Sequence, residues 1–163
     1  MALVYLSLGS NAEDAIGKIL DAIERIMALG GVAPAGLGSF YETEPQGVKD
    51  QPWFVNTAMA ARLSLAPEKL LERLKEIEHD MGREPGERWG PRVIDIDIVF
   101  YDDVVMDTPP LTIPHPRAAE RRFVLQPIAD INPRLRHPVS GKTVSELLTA
   151  LPESGQALRR LDP

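Results

Sequence analysis

The stretch RWGPRVIDIDIV, residues 88–99, is the most informative part of this chain. Its second half alternates between isoleucine and aspartate, which is the two-residue period of a β-strand. The isoleucines therefore face one side of the strand, while Asp95 and Asp97 project together from the other. Two like charges so close repel each other unless a cation lies between them. The pattern predicts a strand that presents two carboxylates to a divalent metal ion.

Arginines directly precede this strand. Arg88 and Arg92 flank a Trp-Gly-Pro turn just before the two aspartates. Arginine binds phosphate in a bidentate manner, and Mg²⁺ is often held by one or two carboxylates together with substrate phosphates. Taken singly, an arginine is ordinary surface charge, and the aspartates could be solvated on an exposed sheet face. Their adjacency favours a phosphoryl-transfer site.

Composition limits the class of protein. The chain has 163 residues, 44% of them hydrophobic, which is enough for one domain with a core. The net charge of -6 argues against general nucleic-acid binding, and the lack of cysteine excludes disulfides and thiolate metal sites. No signal-peptide pattern or apolar run of membrane length is found. We therefore expect a soluble, cytoplasmic protein with one domain over residues 1–163 and no nucleic-acid or membrane partner. We also expect a monomer, although the composition itself does not determine the oligomeric state.

The order of apolar patterns predicts an α+β fold. Strands are predicted where apolar residues alternate or run together, over 2–8, 32–43, 54–63 and 93–101. Amphipathic helices are predicted from an Asn11 cap to Gly30 and from 64 to Gly82. This β-α-β-β-α-β order is typical of a ferredoxin-like α/β sandwich with a mainly antiparallel sheet and helices on both faces. Further short strands and helices follow at the C-terminal end, and the tail after Pro152 is expected to be loosely held.

Other residues are candidates for binding a flat ring or a phosphate. Phe54 and Asn56 are two residues apart on one predicted strand and share a face, where an aromatic plane beside a carboxamide can hold a heterocycle. A lone phenylalanine is more often part of the core. His115 lies between two prolines that fix the backbone, so it is either a phosphate ligand or a histidine satisfied within its turn. Trp89 could be a lid residue or a hydrophobic plug.

Several ordered motifs carry a resemblance to a known family. They are YLSLGSN at 5–11, FYETEP at 40–45, DQPWFVN at 50–56, RWGPRVIDID at 88–97, IPHPR at 113–117 and ER at 120–121. Together they resemble the 6-hydroxymethyl-7,8-dihydropterin pyrophosphokinase family, whose signature matches the Arg92-x-x-Asp95-x-Asp97 segment. The resemblance covers nearly the whole chain. It implies a ferredoxin-like fold and an ATP- and Mg²⁺-dependent transfer of pyrophosphate from ATP to the hydroxymethyl group of the pterin, releasing AMP, in folate biosynthesis.

The resemblance also implies roles for individual residues. Asp95 and Asp97 would hold two Mg²⁺ ions, and Arg83 and Arg92 would be catalytic with them. The residues expected to bind ATP are Lys75, Glu78, Arg83, Trp89, Arg92, Ile98, Leu111, Thr112, His115 and Arg121. The residues expected to bind the pterin are Thr43, Pro45, Gln46, Phe54, Asn56, Asp95 and Phe123, with the ring stacked between the two phenylalanines. Loops at 44–53 and 83–93 would close over the substrates.

This chain departs from the family at a few positions. Phe54 replaces a tyrosine found in some members, Glu84-Pro85-Gly86 stands where some carry a second arginine, and Lys75 stands where others have a polar residue. Two other functions fit the residue pattern. One is a nucleotide-sensing domain that binds ATP without turnover, and the other is a metal-dependent phosphohydrolase that needs no pterin.

Overall fold

The structure is a computed structural model that describes residues 1–44, 52–82, 93–152 and 155–161. The strands are β1 (Ala2–Ser10), β2 (Val32–Leu37), β3 (Phe40–Thr43), β4 (Phe54–Leu63), β5 (Asp95–Tyr101), β6 (Met106–Thr108), β7 (Leu111–Ile113) and β8 (Leu158–Leu161). The helices are α1 (Ala15–Met27), α2 (Pro67–Asp80), α3 (Arg122–Ile131) and α4 (Val144–Ala150), with a 3₁₀ turn at Ala118–Glu120.

The main sheet has the order β5-β1-β4-β3-β8, and β2 also pairs with β4. Each of these pairs is antiparallel. Helices α1 and α2 pack on one face of the sheet, while α3 and α4 cover the other. The predicted ferredoxin-like α+β sandwich is therefore confirmed, with a separate β6-β7 hairpin as a C-terminal addition. In the part of the chain that the structure describes, no helix has the length and apolarity of a membrane span.

The central strand β1 supplies both hydrophobic cores. Val4, Leu6 and Leu8 belong to the first core, which lies between the sheet and helices α1 and α2. Tyr5 belongs to the second core, which lies between the sheet and helices α3 and α4. The isoleucines of the 94–98 stretch join the first core, as their alternation predicts. The register between β1 and β5 then shifts next to Tyr5, so that Val99 and Phe100 both enter the second core. The two aspartates consequently stand on the face covered by α3, at the end of that core.

Helix α1 begins later than predicted. The cap is Asp14 and not Asn11, which is only 3% exposed. The Asp14 carboxylate accepts the Gly17 N–H at 3.3 Å while its own backbone has a φ of 56°. A Cβ at Gly17 would clash with this carboxylate, so the glycine permits the cap. The prediction of an Asn11 cap is therefore wrong, because both residue types cap well and local geometry decides between them.

The predicted strand over 32–43 is divided into β2 and β3. The division falls at Gly38-Ser39, where α3 approaches the sheet so closely that a Cβ on Gly38 would lie 2.5 Å from the carbonyl oxygen of Pro127. The Tyr41 hydroxyl then donates to Asp130 of α3 at 2.6 Å. Burial and this hydrogen bond raise the pKa of Tyr41 to about 12. The close approach fixes the C-terminal half of α3 over the start of β3.

The C-terminal segment is held in the sheet. Leu158–Leu161 forms β8 and pairs with β3, with Leu158 opposite Thr43. The expectation of a loosely held tail is therefore wrong for these residues. Strand β3 would otherwise leave main-chain groups unpaired at the sheet edge, and β8 satisfies them.

Candidate functional site

A cavity of about 180 Å³ opens at one end of the main sheet, on the face that α3 covers. The residues that line it are Ser7, Gly9, Thr43, Phe54, Asn56, Asp95, Asp97, Arg121 and Phe123. All of them except Ser7 and Gly9 are predicted from the sequence as binding residues. The fold thus brings together side chains from β1, β3, β4 and β5 and from the start of α3.

The strand register explains this grouping. In the β1–β5 ladder, Ser7 lies opposite Asp97 and Gly9 lies opposite Asp95. In the β1–β4 ladder, Gly9 lies opposite Asn56. Neighbouring strands are about 4.8 Å apart, so the Cα atoms of Asp95 and Asn56 are roughly 10 Å apart across Gly9. A carboxylate and a carboxamide therefore stand on either side of a residue that has no side chain.

The carboxamide of Asn56 has a fixed orientation. Its Nδ2 atom donates to the Thr43 Oγ1 atom at 2.7 Å, and both residues are at most 5% exposed. Its Oδ1 atom lies over Gly9, where an added Cβ would clash with it. Thr43 and Gly9 together therefore turn the amide oxygen toward the floor of the cavity.

Two partly buried aromatic rings border the same cavity. Phe54 comes from β4, and Phe123 comes from the first turn of α3. The guanidinium of Arg121 lies 5.6 Å from the centroid of the Phe123 ring, within the range of a cation–π contact. Aromatic faces beside a hydrogen-bonding amide suit a flat polar heterocycle, and the adjacent guanidinium suits an anion.

Asp97 interacts electrostatically with Arg121 and His115. Burial lowers the pKa of Arg121 and Arg117 lowers it further, while Asp97 acts in the opposite direction. Burial also lowers the pKa of His115, against the attraction of Asp97. The Arg117 N–H donates to His115 Nδ1 at 3.2 Å, so the neutral ring carries its proton on Nε2. His115 is therefore able to donate a hydrogen bond to a phosphate oxygen.

Glu78 holds the strand that carries the aspartates. Its carboxylate is 2% exposed, and Oε2 accepts the Ile96 N–H at 2.9 Å. Oε1 lies 3.5 Å from the Lys75 Nζ atom. Ile96 lies between the two aspartates, so this contact fixes the outer edge of β5 where they project. On the same edge, the Val99 carbonyl accepts the His115 N–H at 3.0 Å.

A second cavity lies between α2 and the β6-β7 hairpin. Its volume of about 880 Å³ is within the range usual for small-molecule sites. Lys75 and Leu111, both predicted to bind ATP, are among its lining residues. Thr112 lies in the same hairpin, and its hydroxyl donates to Asp107 at 2.9 Å. Ile98 is only 4% exposed and packs in the core, so its side chain offers a nucleotide little surface.

The aspartate pair is a candidate metal site. Within the described ranges, no group of three or more His, Cys, Asp or Glu side chains could hold a metal ion. Asp95 is partly buried and Asp97 is exposed, and both line one cavity. Mg²⁺ usually keeps several water or phosphate ligands, so two carboxylates on one face of a strand suit it. An ion that takes all its ligands from the protein fits this pair less well.

Some predicted residues fall outside the described part of the chain. They are Pro45, Gln46, Arg83, Trp89 and Arg92. Most of the two predicted loops, at 44–53 and 83–93, also falls there. The roles of these residues stay predictions. Conversely, Ser7 and Gly9 were not predicted to line the site, although their alternation with Leu6 and Leu8 on β1 is a signal that could have indicated it.

Two bacterial proteins resemble this chain over nearly their full length. One from Methylorubrum extorquens is 41% identical over 155 residues, covering 95% of this chain and 97% of the relative. One from Pseudomonas aeruginosa is 43% identical over 155 residues, covering 93% of each. Both are named 2-amino-4-hydroxy-6-hydroxymethyldihydropteridine pyrophosphokinase.

Other relatives are much longer than this chain. A folic acid synthesis protein of Pneumocystis carinii is 46% identical over 142 residues, which are 87% of this chain but only 19% of that protein. A crystal structure of a Plasmodium falciparum HPPK-DHPS triple mutant superposes with a TM-score of 0.73 at 17% identity, over 91% of this chain and 44% of the other. At that identity, the likeness shows the fold alone.

The two full-length relatives identify the chain as a pyrophosphokinase, an enzyme class that acts on small molecules. The sequence pattern of 7,8-dihydro-6-hydroxymethylpterin-pyrophosphokinase (HPPK) matches residues 5–133. The chain belongs to the HPPK family.

Proposed function

We propose that this protein transfers pyrophosphate from ATP to the hydroxymethyl group of 6-hydroxymethyl-7,8-dihydropterin and releases AMP, a step of folate biosynthesis. One observation carries the proposal. A single cavity combines a carboxylate pair, a buried carboxamide and two aromatic rings. The two carboxylates suit a metal ion that binds the phosphates of ATP. The amide and the aromatic rings suit the flat ring of the pterin. Both substrates of the transfer would therefore meet in one cavity.

The aromatic end of the cavity binds the pterin. The ring lies between Phe54 and Phe123, and its polar edge meets Asn56. The Asn56 amide donates one of its two N–H groups to Thr43, and its oxygen is the acceptor available to N–H groups of the pterin. Pro45 and Gln46 are predicted to complete this edge.

The acidic end binds the phosphates. Asp95 and Asp97 would hold Mg²⁺, which would offset the negative charge of the phosphates when bound. Arg121 and His115 donate to phosphate oxygens from the same side, and Arg83 and Arg92 are predicted to join them. The pterin hydroxyl attacks the β-phosphorus in line, the bond from this phosphorus to the α,β-bridging oxygen breaks, and AMP leaves with that oxygen. The hydroxyl proton passes to a cavity aspartate or to water.

The cleft beside α2 holds the adenosine part of ATP. It lies between α2 and the β6-β7 hairpin, and α2 and β7 both pack against β5, whereas the carboxylate cavity lies on the face under α3. A nucleotide that spans the two cavities passes the edge of β5, where His115 is attached through Val99. This path supports a phosphate-binding role for His115.

One assay tests the proposed function. AMP release from ATP is measured with and without 6-hydroxymethyl-7,8-dihydropterin, in Mg²⁺ and after chelation with EDTA. We expect AMP only when both pterin and Mg²⁺ are present. AMP release without pterin would instead indicate a phosphohydrolase. Binding of ATP without any AMP release would indicate a nucleotide-sensing domain.

Gly9→Ala should weaken pterin binding. The added methyl group displaces the Asn56 carboxamide, which the structure places against Gly9. A misplaced buried hydrogen-bonding group costs about 1–3 kcal/mol, so KM for the pterin should rise roughly 5- to 150-fold while KM for ATP changes little. Steady-state kinetics with each substrate varied in turn measure both constants.

Gly30→Ala is the matched control for this variant. An added Cβ at Gly30 meets nothing within 4 Å, so it tests a glycine-to-alanine change without a steric conflict. An unchanged KM for the pterin in Gly9→Ala would contradict the assigned orientation of Asn56.

A further inference from the structure

Helix α3 is capped by a side chain from the distant C-terminal segment. Its N-cap residue, Arg121, makes no capping hydrogen bond with its own side chain. The first N–H groups of a helix need partners from elsewhere. Gln156 supplies one, because its Oε1 atom accepts the Arg122 N–H at 2.7 Å. Its Nε2 atom donates to the Glu120 carbonyl at 2.9 Å, so the amide bridges the chain on both sides of Arg121.

The capped turn carries two residues of the site. Arg121 and Phe123 immediately flank Arg122, and both line the cavity that contains Asp95 and Asp97. Gln156 does not line that cavity. It lies behind Phe123, where a small gap is bordered by Thr43, Phe123 and Gln156. The cap therefore acts on site residues without itself facing the substrates.

The same segment is tied to the opposite wall of the cavity. The Ala157 carbonyl accepts the Glu44 N–H at 3.3 Å, and Leu158 pairs with Thr43. Residues 156–158 therefore span from the first turn of α3 to the end of β3. They set the distance between Phe123 on one side and Thr43 on the other.

We propose that Gln156 is a positioning residue that holds Arg121 and Phe123 in the geometry that receives the substrates. The proposal rests on the proposed function for its kinetic consequence. It also goes beyond the family match, which ends at residue 133. The Arg121 side chain is committed to the cavity, where its guanidinium lies against Phe123, and the capping of α3 falls to Gln156.

Gln156→Ala tests the proposal kinetically. Loss of a helix cap with two hydrogen bonds should raise KM for both the pterin and ATP about 3- to 30-fold, and kcat should fall less. Gln156→Glu retains an acceptor for the Arg122 N–H, so its KM values should lie between those of the wild type and Gln156→Ala. KM values equal to the wild type in Gln156→Ala would overturn the proposal.

Glu146→Ala is the matched control. It removes the reciprocal Thr143–Glu146 capping box at the start of α4. Helix α4 contributes no lining residue to the cavity. Both variants are assayed at a temperature where circular dichroism shows them fully folded. We expect KM to rise only in Gln156→Ala. Equal KM values in the two variants would mean that Gln156 contributes to stability alone.

A second readout does not depend on catalysis. Amide hydrogen exchange of the first turn of α3 should accelerate in Gln156→Ala and remain at the wild-type rate in Glu146→Ala. Unchanged exchange there would overturn the positioning role, whatever the activity. If the wild type itself releases no pterin-dependent AMP, the proposed function fails, while hydrogen exchange still decides whether Gln156 orders Arg121 and Phe123.

Discussion

Asp97→Asn should lower pterin-dependent AMP release by about two to four orders of magnitude, by analogy with the loss of a preorganised electrostatic group at a reacting centre. The substitution keeps the size of the side chain and removes its charge. Asp97 is exposed on β5, opposite Ser7, so the fold does not depend on this carboxylate. The effect should appear in kcat at saturating ATP and pterin, with a shift of the Mg²⁺ dependence to higher concentration.

Asp103→Asn makes the same chemical change outside the site. Asp103 is an exposed residue in the turn that follows β5 and does not line the cavity. Its variant should keep wild-type turnover and Mg²⁺ dependence. If Asp97→Asn shows the same behaviour as this control, the assignment of the aspartate pair to the metal is wrong.

Removal of both aromatic rings that border the cavity, Phe54 and Phe123, should have the second-largest effect, a loss of pterin affinity. Stacking of a base on an aromatic side chain is worth about 1–3 kcal/mol per ring, so Phe54→Ala combined with Phe123→Ala should weaken pterin binding by roughly 30-fold to 10⁴-fold. Phe54→Ala alone should leave KM for ATP unchanged. Phe123→Ala also removes the ring under the Arg121 guanidinium, so it should raise KM for both substrates. Pterin affinity is measured by fluorescence titration.

Leu148→Ala controls for the loss of packing in this double variant. Leu148 is a partly buried residue of the second core and lies on α4, away from the cavity. It should lower thermal stability without changing pterin affinity. Wild-type pterin affinity in the double phenylalanine variant would exclude a stacked ring between these side chains.

Local periodicity was sufficient to predict the acidic strand. The alternation around Asp95 and Asp97 fixes both their shared face and the burial of the isoleucines, because a strand admits only two faces. The pairing of Phe54 with Asn56 follows from the same rule. The apolar stripes of the helices also indicated the order of elements, and that order has few antiparallel solutions.

Features that depend on contacts distant in sequence were not predictable in this way. Gly9 matters because the register places it between Asp95 and Asn56, and no local pattern gives a register between strands. The division at Gly38 depends on the approach of α3 to the sheet. Strand β8 contains only Leu158–Leu161 and pairs with a strand more than a hundred residues earlier, so its sequence carries no signal of its partner.

The outer edge of β5 is already occupied by groups of this protein. Glu78 takes the Ile96 N–H, and the Val99 carbonyl takes the His115 N–H. An open edge strand offers such groups to a strand of another molecule, which is a common route to aggregation. The contacts that fix the two aspartates therefore also close this stretch of the sheet to strand addition. Loss of the Glu78 contact should make the protein more prone to self-association in concentrated solution.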